Sequence, residues 1–315
     1  MAGSSGVAIA GDSTASSPTG DAARSEIIER GTACRSRWAR IAALISSRCD
    51  SSGIAQPDTT RRALLLSYAP IMCFELDSEP PIPRIAGAAV SHDDLVLEAE
   101  DGNRFAAFRA MADGPAEIGI VILPDVRGLY RFYEELALRF AERGFVAVAL
   151  DYFGRTAGVD KRPNDWDFME HVRQTTPEGI QADVGTCVRH VRALGCGSIF
   201  TVGFCFGGSA SWAAAAAGHG LAGAIGFYGR PQRMLDEVPR IDAPILALQA
   251  GADVNITHED NLELERALRQ AGVEHELVEY EGAPHSFFDR SQEEFADASE
   301  DAWRRVLAFV ENHSA

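Results

Sequence analysis

The residues of this 315-residue chain best suited to covalent chemistry lie in one short motif, Thr201-Val202-Gly203-Phe204-Cys205-Phe206-Gly207-Gly208. It reads Gly-x-nucleophile-x-Gly, set between an apolar run that suits a buried strand and an alanine-rich stretch that suits a helix. A nucleophile on so sharp a turn needs very small residues two places before and two places after it, so that strand and helix can cross closely. The helix N-terminus then faces the sulfur, favours its thiolate form and offers the Phe206 N–H to an oxyanion. The competing reading of Cys205 is a small, inert thiol buried in a glycine-rich turn.

A nucleophile also needs a base and an acid to orient it, and behind a strand–turn–helix motif of this kind the chain order is nucleophile, acid, histidine. Asp253 lies in Gly251-Ala252-Asp253, just past the apolar run Ile245 to Gln249. His285 lies in Ala283-Pro284-His285-Ser286-Phe287-Phe288, just past a run ending at Tyr280. Both fall beyond the carboxyl ends of predicted strands, the edge where open α/β sheets carry their sites. In this arrangement His285 moves the proton and Asp253 holds its tautomer. The other histidines, at 92, 171, 190, 219, 258, 275 and 313, read as structural or solvated. Cys187 falls on an apolar helix stripe and Cys196 in a loop. No CxxC pair or zinc-type His/Cys spacing occurs, so neither a metal nor an organic cofactor is expected.

The elements that must position these groups alternate. Predicted strands cover 94–98, 104–111, 118–123, 145–150, 199–202, 224–228, 245–249 and 276–280, the first two joined by the turn signal Asp101-Gly102-Asn103. Predicted helices cover 132–143, a stretch opened by Thr176-Pro177-Glu178, 207–217, 262–271 and 298–311. This alternation predicts one doubly wound domain over 72–315, with a mostly parallel sheet and helices on both faces. Residues 1–71 are low in complexity and then studded with arginine; they read as a disordered extension or one upstream of the true start.

Charge narrows the partners. The formal net charge is −17, and residues 1–80, with 8 Arg against 9 Asp or Glu, contribute almost none of it. A surface this acidic excludes nucleic acid and anionic membranes as partners. No signal-peptide pattern opens the chain, and Pro70 and Glu75 break the longest apolar run, Ala63 to Leu76. With six scattered cysteines, these features predict a soluble cytoplasmic protein, a monomer or small homo-oligomer, acting on a small molecule.

Gly203-Phe204-Cys205-Phe206-Gly207-Gly208, Asp253 and Pro284-His285-Ser286-Phe287 resemble the dienelactone hydrolase (carboxymethylenebutenolidase-like) family of the α/β-hydrolase superfamily, which uses a Cys-His-Asp triad. The resemblance runs from Met72 to the end, and Met72-Cys73-Phe74 with its proline-rich sequel is similar to the start of such proteins. It implies an α/β-hydrolase fold and cleavage of a carboxylic ester or lactone through a thioester. It also implies a thiol-activating carboxylate at Asp125, a second oxyanion donor in the Val126 N–H and a substrate-binding arginine at Arg155. Ser286, Arg290 and Trp166, the last on the long stretch Thr156 to Thr175 that reads as a cover for the pocket, are further substrate-binding candidates. Two positions depart from the family pattern. Asp125 stands where characterised members carry Glu, and Asp289 stands where they carry a second arginine. Those departures support an activated ester or lactone better than dienelactone itself. The alternatives are a broad esterase or thioesterase and, from another class, a redox-sensing thiol protein on the same scaffold.

Overall fold

The strand-forming runs of the central region are apolar without interruption, as a sheet covered on both faces requires. In the computed structural model, which describes residues 77–163 and 166–314, they form one eight-stranded sheet. Its strands are β1 (Val90–Glu98), β2 (Arg104–Ala112), β3 (Ile118–Leu123), β4 (Val146–Leu150), β5 (Ser198–Phe204), β6 (Gly223–Phe227), β7 (Ile245–Ala250) and β8 (His275–Tyr280). They lie in the order β1-β2-β4-β3-β5-β6-β7-β8. Strand β2 pairs antiparallel with both β1 and β4, and every later pairing is parallel. The expected division at residue 72 falls outside the described residues.

Five helices cover the sheet: α1 (Arg131–Ala141), α2 (Pro177–Ala193), α3 (Phe206–Ala214), α4 (His258–Ala271) and α5 (Ala296–His313). Alternate strand residues feed two cores. Ile120 and Ile122 pack with Phe132, Leu136 and Phe140 of α1 and with Val306 and Val310 of α5. Val121 and Leu123 join the opposite core, with Val184 and Val188 of α2, Trp212 of α3 and Leu264 of α4. The α/β-hydrolase architecture expected from the sequence is therefore present. Among the described residues no helix is long and apolar enough to cross a membrane.

Local signals explain most boundaries. Thr176 caps α2 by accepting the Gly179 N–H at 3.1 Å, with proline in the first turn. Helix α4 starts four residues before its predicted start, because Thr257 and Asp260 form a capping box that the apolar periodicity does not register. The fully buried Trp212 donates its indole N–H to the Leu246 carbonyl at 3.1 Å. A Cβ at Gly226 or Gly229 would come within 2.5 or 2.7 Å of that indole, which is why glycine stands just before the last residue of β6 and again two residues past its end.

Candidate active site

Cys205 stands between β5 and α3 with φ 55° and ψ −110°, a left-handed conformation that non-glycine residues rarely adopt. The tightness of the turn is visible in its glycines. A Cβ on Gly203 would sit 1.9 Å from the Gly207 carbonyl oxygen, and one on Gly207 would sit 2.1 Å from that of Leu123. Both contacts are with backbone that cannot step aside, so only glycine serves at either place. The turn is anchored where the Cys205 N–H donates to Phe227 at 2.9 Å. Phe206 is the first residue of α3, so its N–H belongs to the turn that has no intrahelical acceptor.

The loops after β7 and β8 bring Asp253 and His285 to the same end of the sheet. His285 Nδ1 lies 2.5 Å from Asp253 Oδ2, and the other carboxylate oxygen accepts the Asn255 N–H at 2.8 Å. The Asp253 side chain is 1% exposed. Burial disfavours the charged imidazole, but hydrogen bonds to Asp253 and Cys205 and their negative charge outweigh it, pushing the His285 pKa up to about 10. Tyr228, at φ 36°, packs its ring 4.9 Å from that imidazole. An imidazolium fixed beside a thiol on one side and a buried carboxylate on the other can hold a thiolate and later protonate a leaving oxygen.

The loop after β3 supplies the opposite wall, through Val126. This loop is tied down by Asp151, a wholly buried carboxylate at the end of β4. Asp151 accepts the N–H groups of Leu129 and Phe153, each at 3.1 Å, and pairs with Arg162 at 2.8 Å. One side chain thus joins the loop after β3, the end of β4 and the segment that follows. Asp151→Ala leaves Arg162 largely buried without its partner and should cost about 3 kcal/mol of stability, read from denaturant unfolding.

The cavity holding Cys205 has a volume of about 250 Å³. Cys205, His285, Phe206 and Val126 all line it, while Asp253 stands behind His285. None of the four residues of the expected substrate-binding set lines this cavity. Arg155 ion-pairs with Asp101 and, at 2.9 Å, with Asp183, and its guanidinium also donates to the Gly179 carbonyl. Arg290 is drawn away to Glu79, at 2.6 Å, and to the carbonyls of Pro80 and Ile82. Trp166 packs against Phe153 and His171 under the Arg162 guanidinium. Ser286 is buried at φ 66° and shapes the turn that sends Phe287 and Phe288 into the core.

Asp125 is also committed elsewhere. Its carboxylate accepts the Arg127 N–H at 2.8 Å, the Arg127 guanidinium at 3.1 Å and the Tyr130 hydroxyl at 3.4 Å. Burial opposes the charge on Arg127, but Asp125 more than compensates and raises its pKa. Asp125 is therefore the partner of a buried arginine.

Positive charge in the cavity comes instead from Arg230 and Arg233, neither of which was expected. Arg233 lies over the Phe206 ring, 5.1 Å from its centroid. Burial and then the neighbouring Arg230 lower its pKa, while charge on Cys205 opposes that shift. A signal for Arg230 was present: Tyr228-Gly229-Arg230 follows β6, and Arg230 meets the strand-end criterion that singles out Asp253 and His285.

Comparison with known proteins agrees with this architecture. The model of the family described as "Dienelactone hydrolase family" matches residues 105–314. A Saccharolobus solfataricus protein named "Putative carboxymethylenebutenolidase" is 28% identical over 247 residues, spanning 67% of this chain and 95% of its own length. An Escherichia coli K12 protein of the same name is 25% identical over 232 residues, spanning 67% and 84%. The crystal structure of a Klebsiella pneumoniae protein described as a "Putative Dienelactone Hydrolase" aligns with a TM-score of 0.62 at 25% identity, covering 71% of this chain and 99% of that one. With the family match spanning well over half of its length, and with β5, Cys205 and α3 inside that match, the chain belongs to the dienelactone hydrolase family of the α/β-hydrolase superfamily.

Proposed function

We propose that the protein cleaves carboxylic esters or lactones through a Cys205-His285-Asp253 triad and a thioester acyl-enzyme. The observation that carries this reading is the line of contacts from the buried Asp253 through His285 to a cysteine at a glycine-flanked strand–helix turn.

The Cys205 sulfur attacks the acyl carbon, and the carbonyl π electrons move onto oxygen. The N–H groups of Phe206 and Val126 hold that oxyanion. When the intermediate collapses, the bond to the leaving oxygen breaks and His285 gives it a proton, which leaves an acyl thioester on Cys205. Water then attacks the thioester while His285 takes its proton. Collapse of the second intermediate releases the acid and restores the thiolate–imidazolium pair. For a lactone, the leaving oxygen stays on the acyl chain and the ring opens. Arg230 and Arg233 favour substrates carrying an anionic substituent, a role Arg155 and Arg290 cannot fill from their ion pairs.

Acid quenching during the first turnover of 4-nitrophenyl acetate should leave one acetyl group on the peptide containing Cys205, detected by mass spectrometry. Turnover without that adduct, or an adduct on another residue, overturns the reading.

A further inference from the structure

Beside the cavity around Cys205 lies a second one of about 490 Å³, roughly twice its size. Met169, Val172, Phe206, Ser209 and Arg233 line both, so the two adjoin as lobes on either side of these residues. The second lobe is lined by Ala210 and Ala213, three apart on α3, by Met169 and Val172, three apart on a one-turn helix, and by Ile180 of α2. Residues three apart share a helix face, so each pair forms a ridge. Two alanines on one ridge leave the room. The lobe alone falls within the size range of small-molecule sites, yet no step of the proposed reaction uses it.

We propose that this second lobe receives the acyl arm of the substrate, and that the arm is an unbranched apolar chain. The inference rests on the ester-hydrolase reading of Cys205. Its direction follows from proton transfer, because the leaving oxygen must face His285. His285, Tyr228, Asn255 and Ile256 line the catalytic lobe and not the second one. The departing alcohol therefore occupies their side, and the acyl arm leaves past Phe206, over which the Arg233 guanidinium marks the neck. A branch next to the acyl carbon would meet Phe206 at that neck, whereas a linear chain can continue along the two ridges.

The test is a series of 4-nitrophenyl esters from acetate through butanoate and hexanoate to octanoate, hydrolysed by the full-length protein. All share one leaving group, so only the acyl arm varies. The expected result is a kcat/KM that rises about two- to fourfold for each added methylene. Ala213→Phe and Ala210→Phe, at positions that line the second lobe alone, should each lower the octanoate-to-acetate ratio at least about tenfold. Thermal melts verify that each variant is folded, and either one carries the test if the other is not. A flat or falling series whose turnover is lost in Cys205→Ala overturns this proposal and leaves the ester-hydrolase reading standing, as does an unchanged ratio in a folded variant. No Cys205-dependent hydrolysis of any ester overturns both.

Discussion

Cys205→Ala should lower kcat/KM for dienelactone and for 4-nitrophenyl acetate by at least about 10⁴-fold, with the fold retained. Alanine keeps a Cβ at the φ 55° turn and the Cys205 N–H bond to Phe227, so the elbow persists. What disappears is the atom proposed to form the thioester. The proposed donors, Phe206 and Val126, remain, and in triad enzymes such donors with substrate binding leave a residual of about 10³-fold over water. Cys205→Ser should recover only a small part of the loss, because a hydroxyl does not ionise beside an imidazole as a thiol does. Steady-state kinetics with a thermal melt for each variant measures this. A folded Cys205→Ala protein that keeps more than about 1% of wild-type turnover refutes the nucleophile assignment.

The second large effect concerns the resting state of the thiol. With its pKa held up to about 10 by hydrogen bonds and negative charge at Asp253 and Cys205, against the cost of burial, His285 is a cation at neutral pH. A cationic ring can only donate to the sulfur and so favours thiolate before substrate arrives. Alkylation of Cys205 by iodoacetamide should therefore be nearly flat from pH 7 to 9. Over the same span an ordinary thiol of pKa about 8.5 gains reactivity about 25-fold. His285→Ala should restore that slope and slow alkylation at pH 7 about tenfold or more. The sign of the linked stability effect follows from a histidine pKa raised in the folded state. The contribution is full below the ordinary value of 6.5 and is lost as pH climbs through about 10. Wild-type Tm should accordingly fall more than that of His285→Ala between pH 7 and 10. A steep wild-type alkylation profile that matches the variant sinks this reading.

The architecture was legible because each of its signals is local. Buried strands announce themselves as unbroken apolar runs, and the glycines at 203 and 207 report a close crossing of backbone. Asp253 and His285 were legible through their positions past strand ends. Which arginines would line the cavity was not, because long flexible cations go to whichever acid the tertiary structure brings near. Arg155 meets Asp183 across 28 residues, and Arg290 meets Glu79 across 211. No spacing in the chain encodes either pairing. Asp125, by contrast, finds a partner only two residues away. The short carboxylate arm of an aspartate is well placed to close that local turn with Arg127.

The hold of Arg290 on Glu79, Pro80 and Ile82 bears on how far the chain can be trimmed. It ties the segment ahead of β1 to the loop that begins at Pro284 and carries His285, and the Ile82 side chain is itself buried in the core. A shortened form beginning at Met72 keeps this fastening. One beginning at Arg84 forfeits both the anchor of that loop and a core side chain, so the placement of His285 depends on residues some 200 positions upstream that lie outside the cavity holding Cys205.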